Sequence, residues 1–426
     1  MNESIGVLRL PNEVRFGFGA RAAIAPIVAG FGRRVLVVAD PFIATTAEFA
    51  EVVEAMRAIT GNVEVLTDVP PELPSESVHR AGAIAASFAP EVIVGYGGGS
   101  ALDAAKLVAV LVTHGGSLDD YYGENAVPGP VVPLVAVPTT AGTGSEVTPV
   151  AVISDPHREL KVGISSPHLI PRAAVVDPQL TMDAPVGVTT FAGIDAFVHA
   201  VESYTAAQLE IDHAHPSPVF VGQNRLTHPL SLEAARIIFR ALPVAVRSPH
   251  DRQARADMAY GSLLAGMAFG ATGTHLSHAI QYPIGAMTHT PHGLGTGTLL
   301  PYVMQACVDA IPEAIATLGE AMGVTAGAGG ATAHRAQATV DAIAAFCADV
   351  GLPASLAELG VSRNDRDRIV ELTLQVARLV AIAPIPVDRA LLGRLVDAAI
   401  VGDRSLLVAR LPTPGPAQRL RPRGQP

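Results

Sequence analysis

Short apolar runs alternate with helical periodicities through the first 180 residues. In GRRVLVVADP the unbroken run Val35 to Val38 stops at Ala39-Asp40-Pro41, as a buried strand does when it leaves through a turn. FAEVVEAMRAIT predicts a helix, VEVLTDV a strand, SVHRAGAIAASFA a helix and EVIVGY a strand, and GGGSALDAAKLVAVLVT is a glycine turn that opens a helix. VVPLVAVP adds a strand, a Gly/Thr-rich loop and a further extended segment follow, and RAAVVDPQLT closes the series. Strand and helix in alternation imply parallel strands with crossover helices. From about Val186 the pattern changes, and VTTFAGIDAFVHAVESYTA, SLEAARIIFRALPVAVR and ARADMAYGSLLAGMAFG are all helical. The expected organisation is an α/β domain over 1–185, an all-α domain over 186–411 and a disordered tail over 412–426, with a flexible loop at 324–333.

Length agrees with two cores, since 426 residues of which 49% are apolar and 16% charged exceed one small domain. A net charge of -10 argues against nucleic acid or an anionic membrane as partner and leaves small metabolites. The apolar runs are too short and too interrupted to span a bilayer, and the N-terminus lacks a basic stretch followed by an apolar core, so a cytoplasmic protein is expected. Cys307 and Cys347 share no CxxC spacing and read as buried free thiols. The chain holds 27 arginines but only two lysines, Lys106 and Lys161, both inside motifs.

The first motif is GYGGGSALDAAK. Glycines between a strand and a helix let the backbone approach a phosphate, which the helix N-terminus then favours, although a plain tight turn has the same spacing. Asp103 then reads as a cofactor contact or as a first-turn carboxylate, and Lys106 as part of the motif or as a surface residue. PTTAGTGSEVT offers the hydroxyls of Thr139, Thr140, Thr143, Ser145 and Thr148. Two such loops after successive strands point to a dinucleotide cleft at the strands' carboxyl ends. Asp40, at the end of an early strand, either accepts ribose hydroxyls and repels a 2′-phosphate or merely forms a turn before Pro41.

The second constellation lies in the helical half. Asp195 and His199 stand at i, i+4, so their side chains share a helix face, and Thr274 to Pro301 holds four histidines. One carboxylate with imidazoles makes a mixed N/O set suited to Fe(II) or Zn(II).

GGGSALDAAK, PTTAGTGSEVT, the stretch from Lys161 through DPQLT to FAGIDAFVHAVESY, and HAIQYPIG followed by TPHG and LLPYVM resemble, in order, the iron-containing (group III) alcohol dehydrogenase family. The resemblance covers about Val14 to Leu411. It implies a dinucleotide-binding α/β domain and a helical domain of dehydroquinate synthase-like architecture, with metal and nicotinamide between them. It further implies Asp195, His199, His278 and His292 as metal ligands, with His275 and His289 outside that set. Gly98, Gly99 and Ser100 would hold pyrophosphate, the threonine loop would line the nicotinamide side, and Lys161 would lie near the cofactor ribose. NAD is expected in preference to NADP because of Asp40.

Three departures from the family pattern stand out. Tyr282 replaces a histidine often assigned to proton transfer, Glu72 stands about where many members place an Asn, and residues 208–227 form an insertion carrying His213 and His215. Tyr282 and the insertion are similar to the hydroxyacid-oxoacid transhydrogenase branch. The expected activity is a metal-dependent alcohol dehydrogenase, or aldehyde or ketone reductase, acting on a small substrate as a homo-oligomer such as a dimer. Two alternatives are a transhydrogenase that retains its cofactor and passes hydride from a hydroxyacid to an oxoacid, and a catalytically silent assembly or binding protein on the same fold. The lyase-type cousins are disfavoured by the Asp195-x3-His199 pair and by four protein ligands.

Overall fold

A computed structural model of the chain describes residues 5–211, 217–324 and 330–408. Residues 325–329 of the loop expected at 324–333, the tail expected at 412–426, and His213 and His215 therefore lie outside the described residues. Six strands form one parallel sheet: β1 (Glu13–Phe16), β2 (Arg34–Ala39), β3 (Asn62–Leu66), β4 (Val92–Gly97), β6 (Leu134–Pro138) and β9 (Ala173–Val176), in the order β1-β9-β6-β4-β2-β3. The inner strands β4, β6 and β9 are buried along their whole length, which is why they read as apolar runs without alternation. Alternate residues supply the two faces. Val35, Val37 and Ala39 pack with Phe49, Val53 and Met56 of α2 (Ala47–Thr60), below α1 (Ile24–Ala29), whereas Leu36 and Val38 pack with α3 (Ser75–Phe88) and α4 (Gly99–His114).

From β2 the chain moves outward to β3 and then returns to β4 on the other side of β2, so the strand order reverses between β2 and β4. The crevice beyond the carboxyl ends of such a pair is where ligands bind in this class of sheet. Asp40 follows β2 and the glycine turn follows β4, so the two motifs lie side by side.

A second sheet, not foreseen from the sequence, joins β5 (Gly123–Glu124), β7 (Val150–Ile153) and β8 (Val162–Ser165), with β7 and β8 antiparallel. Lys161 enters the cleft at the base of β8.

The helical part comprises α5 (Val186–Thr205), α6 (His228–Arg247), α7 (Arg252–Thr272), α8 (Leu276–Thr288), α9 (His292–Cys307), α10 (Pro312–Met322), α11 (Thr332–Asp349), α12 (Arg366–Gln375), α13 (Ala377–Ala381) and α14 (Arg389–Val401). All of these except α13 contribute to one apolar core in which α5, buried over most of its length, is central. The two parts meet closely at Gly144, whose φ of +62° suits glycine and where a Cβ would come within 2.5 Å of the Gly266 Cα on α7. Among the described residues no helix is long and apolar enough to cross a membrane. Cys307 and Cys347 are buried free thiols, as expected.

Candidate metal and cofactor site

Three helices bring the proposed ligands together. Asp195 and His199 stand one turn apart on α5, His278 lies in the first turn of α8, and His292 is the first residue of α9. One ligand atom each from Asp195, His278 and His292 lie within 4.8 Å of one another. Asp195 Oδ1 is 3.7 Å from both His278 Nε2 and His292 Nε2, and Asp195 Oδ2 is 3.7 Å from His199 Nε2. These separations are too long for hydrogen bonds and suit atoms converging on a point between them. His278 Nε2 is buried without a hydrogen-bond partner, a costly state that an ion would relieve. Burial pushes the His292 imidazole down to about 4 and His199 well below the usual range, leaving both in the neutral form that binds metals. The donor set therefore fits a divalent metal.

Surrounding groups orient the ligands. Thr296 donates a hydrogen bond to Asp195 Oδ1 at 3.1 Å, and the His199 ring stacks on Phe269 with centroids 4.1 Å apart. Glu202 is the chief support: it accepts from His278 Nδ1 at 2.7 Å and from the backbone N–H groups of His275 (2.8 Å) and Ser277 (2.6 Å). Burial alone would raise its carboxyl, but the charges and hydrogen bonds of His275, His278 and Ser277 outweigh it and hold it below the usual carboxylate range. With Nδ1–H fixed on Glu202, His278 presents Nε2 to the site. Sequence reading missed Glu202, although it lies seven residues after Asp195 and three after His199 on the same helix face. His275 faces Glu202 and hydrogen-bonds Thr205, and His289 is an exposed α8 terminus, so neither joins the set.

Two cavities flank the glycine turn. One of about 200 Å³ is lined by Gly99, Ser100, Asp103, Thr143, Ser145, Thr148 and Lys161 together with all four proposed ligands and Tyr282. The other, of about 340 Å³, is lined by Asp40, Gly98, Thr139 and Thr140. At Gly99 a Cβ would come within 2.6 Å of Thr143 Cγ2, so the two loops touch where the helix N-terminus opens onto the cleft. The Gly98 N-cap has no side-chain cap, which leaves the first N–H groups of α4 for a ligand such as pyrophosphate.

Some of the polar residues that line the cleft are also engaged inside the protein. Lys106 is fully buried and donates from Nζ to Ser145 Oγ (2.8 Å) and to the carbonyls of Thr148 (2.9 Å) and Val150 (2.8 Å). Ser145 Oγ donates in turn to Asp103 Oδ1 at 2.6 Å, and Asp103 Oδ2 accepts from Val152 N. The alternatives of a surface Lys106 and a first-turn Asp103 are thereby overturned: both tie α4 to β7 and the threonine loop. Asp40 Oδ1 caps the N–H groups of Phe42 and Ile43, and Asp40 also lines the larger cavity. Glu72, at a φ of +64°, meets Lys161 at 3.6 Å. Tyr282 is half-buried in the metal-site wall, its ring 6.2 Å from that of His292. Burial raises its phenol and the charge of Arg378 opposes that rise.

Residues 11–178 match the family described as iron-containing alcohol dehydrogenase, and residues 189–399 match the C-terminal part of the Fe-containing alcohol dehydrogenase family. The chain belongs to this family. It is 35% identical over 407 residues to long-chain-alcohol dehydrogenase 1 of Geobacillus thermodenitrificans, covering 94% of this chain and 98% of the relative. It is 30% identical to the mitochondrial hydroxyacid-oxoacid transhydrogenase of Caenorhabditis briggsae, covering 91% and 89%. The crystal structure of sulfoacetaldehyde reductase from Bifidobacterium kashiwanohense in complex with NAD+ superposes with a TM-score of 0.79 at 27% identity, covering 93% of this chain and 98% of that one. The protein is an oxidoreductase acting on CH–OH groups, in a family whose members include the NAD-dependent methanol dehydrogenase of Bacillus methanolicus, 33% identical over 84% of this chain and 90% of that one.

Proposed function

We propose that the cleft between the two parts interconverts a small alcohol and its carbonyl, with Asp195, His199, His278 and His292 holding the metal and the glycine and threonine loops holding NAD. The observation that carries this reading is the convergence of Asp195, His278 and His292, with His199 beside them, on the wall of a cavity that the N-terminus of α4 also lines. When bound, the metal polarises the carbonyl oxygen and the nicotinamide supplies or accepts the hydride. Glu202 keeps His278 in one tautomer, and Thr296 fixes the Asp195 carboxylate. Phe269 shields His199 from water. Tyr282, whose ring lies 6.2 Å from that of His292, would hold the proton exchanged with the alcohol oxygen, a part often assigned to a histidine in the family.

A retained-cofactor transhydrogenase is the second reading, favoured by Tyr282 and by the insertion over 208–227, which reaches the cleft: Phe220 lines the metal-site cavity. Elemental analysis should find about one metal per chain, and NADH should be oxidised by aldehydes. If the purified protein instead carries tightly bound NAD and turns over only when a hydroxyacid and an oxoacid are supplied together, the second reading holds. A metal-free protein with no NADH turnover would leave only a silent binding protein. Tyr282→Phe should keep its metal and lose kcat by about tenfold or more; parent-like kcat would remove the phenol from the proton path.

A further inference from the structure

Arg378, on the short helix α13, lines the same cavity as the four proposed metal ligands, and from there the wall continues into an open groove along Glu124, Arg158 and Lys161. Its guanidinium lies over the Phe220 ring, 4.3 Å from the centroid, and among the described residues it makes no hydrogen bond. The nearest carboxylate oxygen, Glu124 Oε1, is 3.9 Å away, beyond hydrogen-bond reach, while Glu124 Oε2 accepts from Val219 N at 3.0 Å. The other cations of the groove lie slightly nearer to acids, Arg158 3.6 Å from Asp155 and Lys161 3.6 Å from Glu72.

The platform under Arg378 is fixed. Phe220 is 3% exposed, and its segment is fastened by Val221 N to Ala271 O (2.8 Å), by Gly222 N to Thr272 O (3.1 Å) and by Arg9 Nη1 to the carbonyls of Pro218 and Val219 (both 3.3 Å). A guanidinium stacked on a ring keeps its N–H groups directed outward in its own plane, the fork that matches a carboxylate bidentately. The guanidinium is 31% exposed and among the described residues none of its five donors is engaged, so they stand open to a ligand.

We infer that Arg378, seated on Phe220, binds a negatively charged group of the substrate, so that the cavity takes short carboxylate-bearing carbonyl compounds in preference to neutral ones of similar length. This rests on the reading of the cavity as the carbonyl-reducing site. The insertion thereby acquires a role, since it supplies the ring that orients the arginine.

The test compares 5-oxopentanoate with hexanal under NADH. The parent should favour the acid in kcat/KM, and Arg378→Met should lower the acid-to-neutral ratio at least tenfold, mostly through KM, with Arg378→Lys recovering part of it. Glu124→Gln, which removes the competing charge but can still accept from Val219 N, should lower KM for the acid. Calorimetric titration with glutarate, which cannot be reduced, should show binding at least tenfold weaker in Arg378→Met than in the parent. A parent that prefers hexanal, or an Arg378→Met that loses both substrates equally, overturns the inference. So does a variant whose NADH affinity falls while the ratio holds, since Arg378 would then serve the cofactor. If no carbonyl oxidises NADH, the reading of the site fails, and the glutarate titration still decides whether Arg378 binds a carboxylate.

Discussion

Two buried polar clusters lie in this molecule, and they treat their hydrogen-bonding capacity in opposite ways. Around Lys106 the ammonium meets a hydroxyl and two carbonyls at 2.8–2.9 Å, and both oxygens of Asp103 are engaged. Around Asp195 the imidazole nitrogens stop 3.7 Å short of the carboxylate, and His278 Nε2 has no partner. A closed network is completed by the fold and holds α4 against β7. An open one is completed from outside, and its residues are held apart by supports such as Glu202 and Thr296. Burial of polar groups therefore does not by itself mark a functional site; convergence without satisfaction does.

Substitution should break the two clusters differently. His278→Ala removes a ligand from the open one, so most of the metal should be lost and kcat/KM should fall about a thousandfold or more, as the loss of several kcal/mol of Lewis-acid stabilisation implies, while the unfolding midpoint of the metal-free protein barely moves. Metal analysis beside denaturant unfolding reads both. Full metal occupancy in that variant removes His278 from the ligand set.

Lys106→Met does the reverse. It removes the cation from beside Asp103 and leaves the carbonyls of Thr148 and Val150 without their donor, and stability should fall by about 3–5 kcal/mol, while the folded fraction keeps its metal. Urea unfolding of metal-stripped parent and variant measures the difference. A loss below about 1 kcal/mol would mean that the network is not the clamp described.

How much of this contrast was legible beforehand follows from what each element depends on. Asp195 and His199 were readable because helical spacing fixes which side chains share a face. Glu202 obeys the same rule at i+7, but a glutamate seven residues on is so common on exposed helices that spacing alone does not separate it from a solvated one. The burial of Lys106 had a local signal, since SALDAAKLVAVLV is apolar all round and such helices are enclosed. The small sheet was missed because β7 and β8 have four residues each and sit eight residues apart across a polar loop. Arg378 carried no sequence signal: its meaning depends on Phe220, 158 positions earlier in the chain.

Glu202→Gln sharpens the comparison from inside the open cluster. The amide keeps the size of the side chain but loses the charge that holds His278 Nδ1–H, so metal affinity should fall about 10–100-fold without abolishing binding. Competition against a chelator of known affinity measures this in the absence of substrate. Unchanged affinity would mean that Glu202 serves only the backbone N–H groups of His275 and Ser277.

The smallest effect is expected at Asp40, where one side chain both caps a turn and lines a cavity. Oδ1 caps the N–H groups of Phe42 and Ile43 at 2.8 and 3.3 Å, and the residue also faces the cavity beside the glycine turn. Asp40→Ala would remove cap and charge together and so could not separate them. Asp40→Asn keeps an oxygen for the cap and removes the charge. A carboxylate and a 2′-phosphate about 5 Å apart near a wetted surface repel by about 1–2 kcal/mol, so the NADP-to-NAD ratio of kcat/KM should rise by about tenfold in the Asn variant, with thermal stability little changed. If the ratio stays where it was, the charge plays no part in cofactor choice and Asp40 is only the residue that turns the chain out of β2.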